Sequence, residues 1–96
     1  MKLVLICYNE AIDEEVVELL EHTNVKGYTK WTKVLGNGET SGPHLYSHVW
    51  PKANNVLATI VSEDIAAMVF ENVRRMREKL ASEGIKAFMW QIDDIT

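Results

Sequence analysis

One cysteine, two prolines and five glycines stand among 96 residues, and each shortage excludes something. A single thiol, Cys7, cannot close an internal disulfide, so the expected setting is reducing and cytoplasmic. Lying in an apolar run, Cys7 reads as a small core residue and not as a nucleophile. Positive charge is also short: ten Lys and Arg face fourteen Asp and Glu, a formal net charge of −4, which argues against a nucleic-acid partner. The one basic cluster is Arg74, Arg75, Arg77 and Lys79. Its spacing wraps most of a helix, as on a solvated face. Long apolar runs are missing too. The stretch Leu3-Val4-Leu5-Ile6-Cys7-Tyr8 is too short for a secretory core segment or a bilayer span.

The balance that remains, 47% hydrophobic and 25% charged, is that of a globular protein without linker, repeat or low-complexity tract. Residues 1–96 are expected to form a single domain, and one this small has a physical reason to oligomerise, because it buries a modest share of its surface. A first strand is predicted from Lys2 to Tyr8. Both of its faces are apolar, so a sheet with helices on one side would leave the other needing a cover. After punctuation at Asn9–Asp13, Ile12, Val16, Leu19 and Leu20 recur at helical spacing to about His22, with Asp13, Glu14 and Glu15 in the first turn. Tyr28–Leu35 reads as a strand, Glu39–Asn54 lacks regular patterning, and Asn55–Ser62 reads as a third strand. Ser62 is a natural N-cap for a long helix packing through Ile65, Val69, Val73, Met76 and Leu80 and ending near Gly84. A last strand runs from Ile85 through Phe88, Trp90 and Ile92. The order βαββαβ with right-handed crossovers gives an α+β fold: a ferredoxin-like plait, one antiparallel sheet with two helices on one face.

Folds of this kind host many functions, so the site must be argued from residues. The segment Gly27-Tyr28-Thr29-Lys30-Trp31-Thr32-Lys33-Val34-Leu35-Gly36-Asn37-Gly38 resembles the signature of PII-type signalling proteins. There a Gly-x-Thr, a later Val and a Gly-x-Gly open the second strand before a long segment called the T-loop. The resemblance in element order and length spans nearly the whole chain. It implies a homotrimer whose sheets face a common axis, with small-molecule sites in the clefts between subunits beside the Gly-x-Gly. The ligand-binding residues expected there are Thr29, Gly36, Asn37 and Gly38; read from the residues themselves, Lys33, Lys52 and Lys86 can add positive charge to such a cleft, and Lys86 is counted with the set. The chain departs from the family pattern after the long helix. There Ala81-Ser82-Glu83-Gly84-Ile85-Lys86-Ala87-Phe88 replaces the second glycine-rich, lysine-bearing loop that holds nucleotide phosphates. The glutamine expected after the Gly-x-Gly is also absent, with Glu39 in its neighbourhood. The chain therefore looks like the divergent PII-like branch, whose members bind varied nucleotides, bicarbonate or metals and often sit beside transport systems. That resemblance implies a small-molecule effector, an adenine nucleotide or a divalent metal among the options, and a membrane transporter as the partner class.

Residue chemistry offers further readings. Gly36, Asn37, Gly38, Thr40, Ser41 and Gly42 can present backbone N–H groups to an anion, or can simply let the chain turn. His44, Tyr46, His48 and Trp50 alternate, so an extended chain puts them on one face, and a helix would still align His44 with His48. Two imidazoles can share a metal ion, and a third ligand would have to come from Glu39, His22, Cys7 or another subunit. A metal sensor or buffer using His44 and His48 is thus one alternative, and an interface of His and aromatic residues is the plainer one. A second alternative is a small cofactor-free oxygenase with His44, His48 and Trp50 in a pocket between helices and sheet. Asp93 and Asp94 are adjacent and would point to opposite faces of a strand, so they do not make a catalytic pair. No catalytic residues are assigned, and the expectation is a binding protein that is not an enzyme.

Overall fold

The structure is a computed structural model that describes residues 1–38, 42–43, 53–80 and 84–96. Strand β1 (Lys2–Asn9) leads through a short 3-10 turn (Glu10–Ile12) into α1 (Asp13–His22). Next come β2 (Thr29–Val34), the two-residue strands β3 (Asn37–Gly38) and β4 (Gly42–Pro43), and β5 (Asn54–Val61). Helix α2 (Glu63–Lys79) and β6 (Ile85–Gln91) complete the order. The main sheet runs β2-β5-β1-β6 with every neighbouring pair antiparallel, the α+β ferredoxin-like plait.

The sequence dictates these elements locally. Ser62 caps α2, its Oγ accepting the Ile65 N–H at 3.3 Å, and Glu63 and Asp64 follow where the helix dipole favours anions. Ala66, Val69 and Val73 make its buried stripe, as Val16, Leu19 and Leu20 do on α1. These stripes close over Val4, Ile6, Tyr8, Leu57, Val61 and Ile85, the helix-facing residues of the sheet. The oxygenase candidates His44, His48 and Trp50 lie outside the described residues. Strand boundaries fall within a residue of expectation, and two ends are informative. Helix α2 stops at Lys79, short of Gly84, because Leu80 leaves helical geometry (φ −114°, ψ 52°) while its N–H still reaches the Met76 carbonyl. Strand β6 ends at Gln91; Ile92 keeps one bond, its N–H donating to the Met1 carbonyl at 3.1 Å.

The opposite sheet face is apolar and open. Register puts Leu3 beside Trp90 and Ile60, Leu5 beside Phe88 and Ala58, and Trp31 beside Val56, all on the side away from the helices. Trp31, Ile60, Phe88 and Trp90 are 51%, 45%, 41% and 50% exposed, too much apolar surface on one face to count as scattered residues. The expectation that β1 has a second apolar face in need of a cover is met. Among the described residues no helix is long and apolar enough to cross a membrane.

Candidate ligand cleft

Strand β2 does not run straight into the Gly-x-Gly. Its pairing with β5 shifts register between Trp31 and Val34, and Lys33 adopts φ 56°, a left-handed conformation that costs a non-glycine residue about 1 kcal/mol. A bulge of this kind bends a strand and re-aims the residues beyond it. Past the bulge, Val34 pairs with Asn54 and the chain passes so close that a Cβ on Gly36 would lie 2.5 Å from the Asn54 side-chain nitrogen. Close approach of the Asn54 side-chain amide, not a positive φ, is therefore what a Cβ at position 36 would disturb, and that amide can turn aside. Gly38 then pairs with Gly42 and Asn37 with Pro43, so part of the segment expected to be patternless forms a small antiparallel ladder.

The same end of the sheet is tied down from β1. The Asn9 N–H donates to the Gly84 carbonyl (2.9 Å) and the Glu10 N–H to the Ala53 carbonyl (3.0 Å). The Asn9 side chain accepts the Ala11 N–H at 2.9 Å and caps the turn into α1. Gly84 thus serves through its backbone carbonyl, and a Cβ there would meet nothing within 4 Å.

Next to this end lies a polar network that sequence reasoning missed. The Tyr8 hydroxyl donates to Asp13 Oδ1 at 2.6 Å, Lys30 Nζ donates to both Asp13 oxygens at 3.0 Å, and Asn55 Nδ2 donates to Oδ1 at 3.1 Å. One carboxylate on α1 thereby holds β1, β2 and β5 together. Burial alone would raise the Asp13 pKa, but hydrogen bonds from Tyr8, Lys30 and Asn55 and the Lys30 charge hold it below the usual carboxylate value. Burial, reinforced by the bond to Asp13, pushes the Tyr8 phenol well above its ordinary value. Burial also raises the Cys7 thiol, in keeping with a packing role. The signals for the network were Asn55 facing the core from a strand and Tyr8 ending the buried face of β1. Neither carries a spacing that points to Asp13.

The expected ligand residues divide between two places. Thr29 lies exposed on β2 opposite Ala58, on the open face, and Gly36 follows at the end of the same edge strand. Asn37 and Gly38 continue from it as β3. Lys86 lies on β6, the other edge, with its ammonium 5.9 Å from the Phe88 ring centroid. Strands β5 and β1 intervene, so the two groups stand three strand spacings apart, about 14 Å. One chain does not bring them together. His44 and His48 lie outside the described residues.

The nitrogen regulatory protein P-II family model matches residues 1–96. The chain belongs to that family. A PII-like signalling protein from Thermus thermophilus superposes on this P-II chain with a TM-score of 0.69 at 26% identity, covering 95% of this chain and 85% of that one. CPII from Thiomonas intermedia, a nitrogen regulatory PII-like protein solved with ADP, AMP and bicarbonate, gives a TM-score of 0.71 at 21% identity, covering 97% and 88%. Its apo form gives 0.69 at 21% identity, covering 95% and 89%. No curated protein sequence matches the chain.

Proposed function

We infer that this P-II family chain is a homotrimeric regulatory protein. It binds a small anionic effector between subunits, where the Thr29–Gly38 edge of one chain meets the Lys86 edge of the next, and signals occupancy to a partner through the loop at about 39–54. The observation that carries this reading is the split of the ligand set. Its two halves sit on opposite edge strands of a sheet whose open face is apolar, so an assembly that covers that face can join what one chain separates. Covering roughly 100 Å² on each exposed aromatic is worth about 2.5 kcal/mol, enough for a few such contacts to hold a small domain in an oligomer.

An adenine nucleotide or bicarbonate is the effector class this reading supports, because CPII was solved with ADP, AMP and bicarbonate. A single glycine at position 84 cannot repeat the phosphate cradle of a second glycine-rich loop, so affinity for triphosphates should be low. A membrane transporter is the proposed partner class and a reducing cytoplasm the proposed setting. Isothermal titration of the wild-type chain with ADP, ATP and bicarbonate, with the sedimentation mass recorded alongside, tests the reading. The expected result is saturable binding of ADP or bicarbonate at one site per chain by a trimer. A monomer, or a trimer indifferent to all three at millimolar concentration, would sink it.

A further inference from the structure

Two costs meet at one point on the β2 edge of the sheet. Thr29, Lys30 and Trp31 pair with Ala58, Leu57 and Val56, but Val34 then pairs with Asn54, so Thr32 and Lys33 together oppose Asn55. Lys33 takes left-handed backbone there, φ 56°, with its side chain out in solvent. Asn55 is 4% exposed and donates its amide N–H to Asp13. Among the described residues no donor reaches its buried Oδ1. Strain and an unpaired buried acceptor at one place both favour an arrangement that removes them together.

One such arrangement needs no residue outside the strand pair. With the bulge removed, Thr32 stands opposite Asn55 and Lys33 opposite Asn54. Lys33 then relaxes to extended backbone. Thr32, on the helix side with Asn55 by the alternation of the strand, brings a hydroxyl donor to Oδ1. The one-residue slip also turns each following side chain to the other face, so Leu35, 71% exposed in the bulged register, joins Trp31 on the apolar open face. The bulged register keeps the half-buried seat of Val34 and the close approach of Gly36 to Asn54. Upstream, two bonds of 3.0 Å from Lys30 to Asp13 clamp the strand in either register, which confines the slip to residues after Trp31. We propose that β2 is a register switch, exchanging between the bulged register and a straight one that carries Val34–Gly38 one residue, about 3.4 Å, along β5. The exchange is a property of the free chain; its use to report an effector beside Gly36–Gly38 rests on the function proposed above.

Relaxation-dispersion NMR of the effector-free chain tests this. Exchange should be confined to the amides of Thr32–Gly38, Asn54 and Asn55, while Thr29–Trp31 stay quiet. Lys33→Gly removes the Cβ that opposes left-handed backbone and should raise the ratio of bulged to straight chains on the order of tenfold. Lys33→Val, ill suited to that backbone, should lower it by a similar factor, so the amide shifts of the two variants should lie on either side of wild type along one line. Thr32→Val removes the donor for Asn55 and should move the population toward the bulge, whereas Thr32→Ser should not. Thr32 and Lys33 are exposed, so these changes leave the core untouched. If Lys33→Val does not fold, deletion of Lys33 takes its place: with no spare residue in the strand, exchange should cease. Coincident Val34–Gly38 shifts in the two Lys33 variants overturn the proposal. So does exchange that persists after Lys33 is deleted, or a Thr32→Val chain with wild-type populations. Because the chain is read without effector, failure to bind ADP would sink the effector reading and leave this test standing.

Discussion

Asp13 accepts from a phenol, an ammonium and an amide at once, and the side chains of Tyr8 and Asn55 are buried. Replacing it by alanine leaves three donors without their acceptor. Asp13 and Lys30 keep some contact with water, 32% and 24% exposed, which places the cost near that of unsatisfied donors and below that of a sealed ion pair. Asp13→Ala should therefore lose about 2 kcal/mol in urea unfolding at neutral pH. The pH dependence has a definite sign. Because the native pKa is depressed, the stabilisation is fully present above the unfolded value of about 4 and is lost as pH falls through the lower native value. The stability gap between wild type and Asp13→Ala should stay constant from neutrality down to about pH 5 and close in stronger acid. At this scale the sequence was least legible. Asp13 read as a helix-dipole residue and Tyr8 as the end of an apolar run, because contacts between residues 42 positions apart leave no mark in local spacing.

At the scale of elements, strands and helices were legible because periods of 2 and 3.6 report directly which face is buried. The end of α2 was not, because helix termination depends on the geometry at Leu80 and no glycine marks it. Nor was the bulge at Lys33, since a lysine in left-handed backbone carries no compositional signal. Gly36 was picked out by resemblance, and its reason is the Asn54 amide. That reason is testable by non-additivity. Gly36→Ala should turn the Asn54 side-chain amide aside and cost about 0.5–1 kcal/mol. In an Asn54→Ala background the same change should cost under about 0.5 kcal/mol. Equal costs in both backgrounds, measured by thermal unfolding, would show that backbone conformation and not close approach demands the glycine.

At the scale of the whole molecule, the expectation of a second apolar face on β1 led directly to the open sheet face, while the expected ligand residues stayed divided. Spacing can assign Thr29 and Lys86 to strands, but only sheet order reveals that they occupy opposite edges. If that face holds the assembly together, Phe88→Asp with Trp90→Asp should yield folded single chains of 11.0 kDa in about 0.5 M salt, because those side chains are already exposed within one chain. An oligomer that survives the double substitution would move the interface elsewhere.

The division of the proposed ligand set allows its two halves to be disabled separately. Gly36→Arg blocks one edge and Lys86→Glu reverses the charge of the other. Neither variant trimer should bind ADP alone, because every cleft has one damaged half. In trimers refolded from an equal mixture, random pairing leaves roughly a quarter of the clefts with two intact halves. ADP titration of that mixture should therefore recover about a quarter of the wild-type sites at wild-type affinity. Full loss of binding in the mixture, or binding by a chain that stays monomeric, would contradict a site shared between subunits.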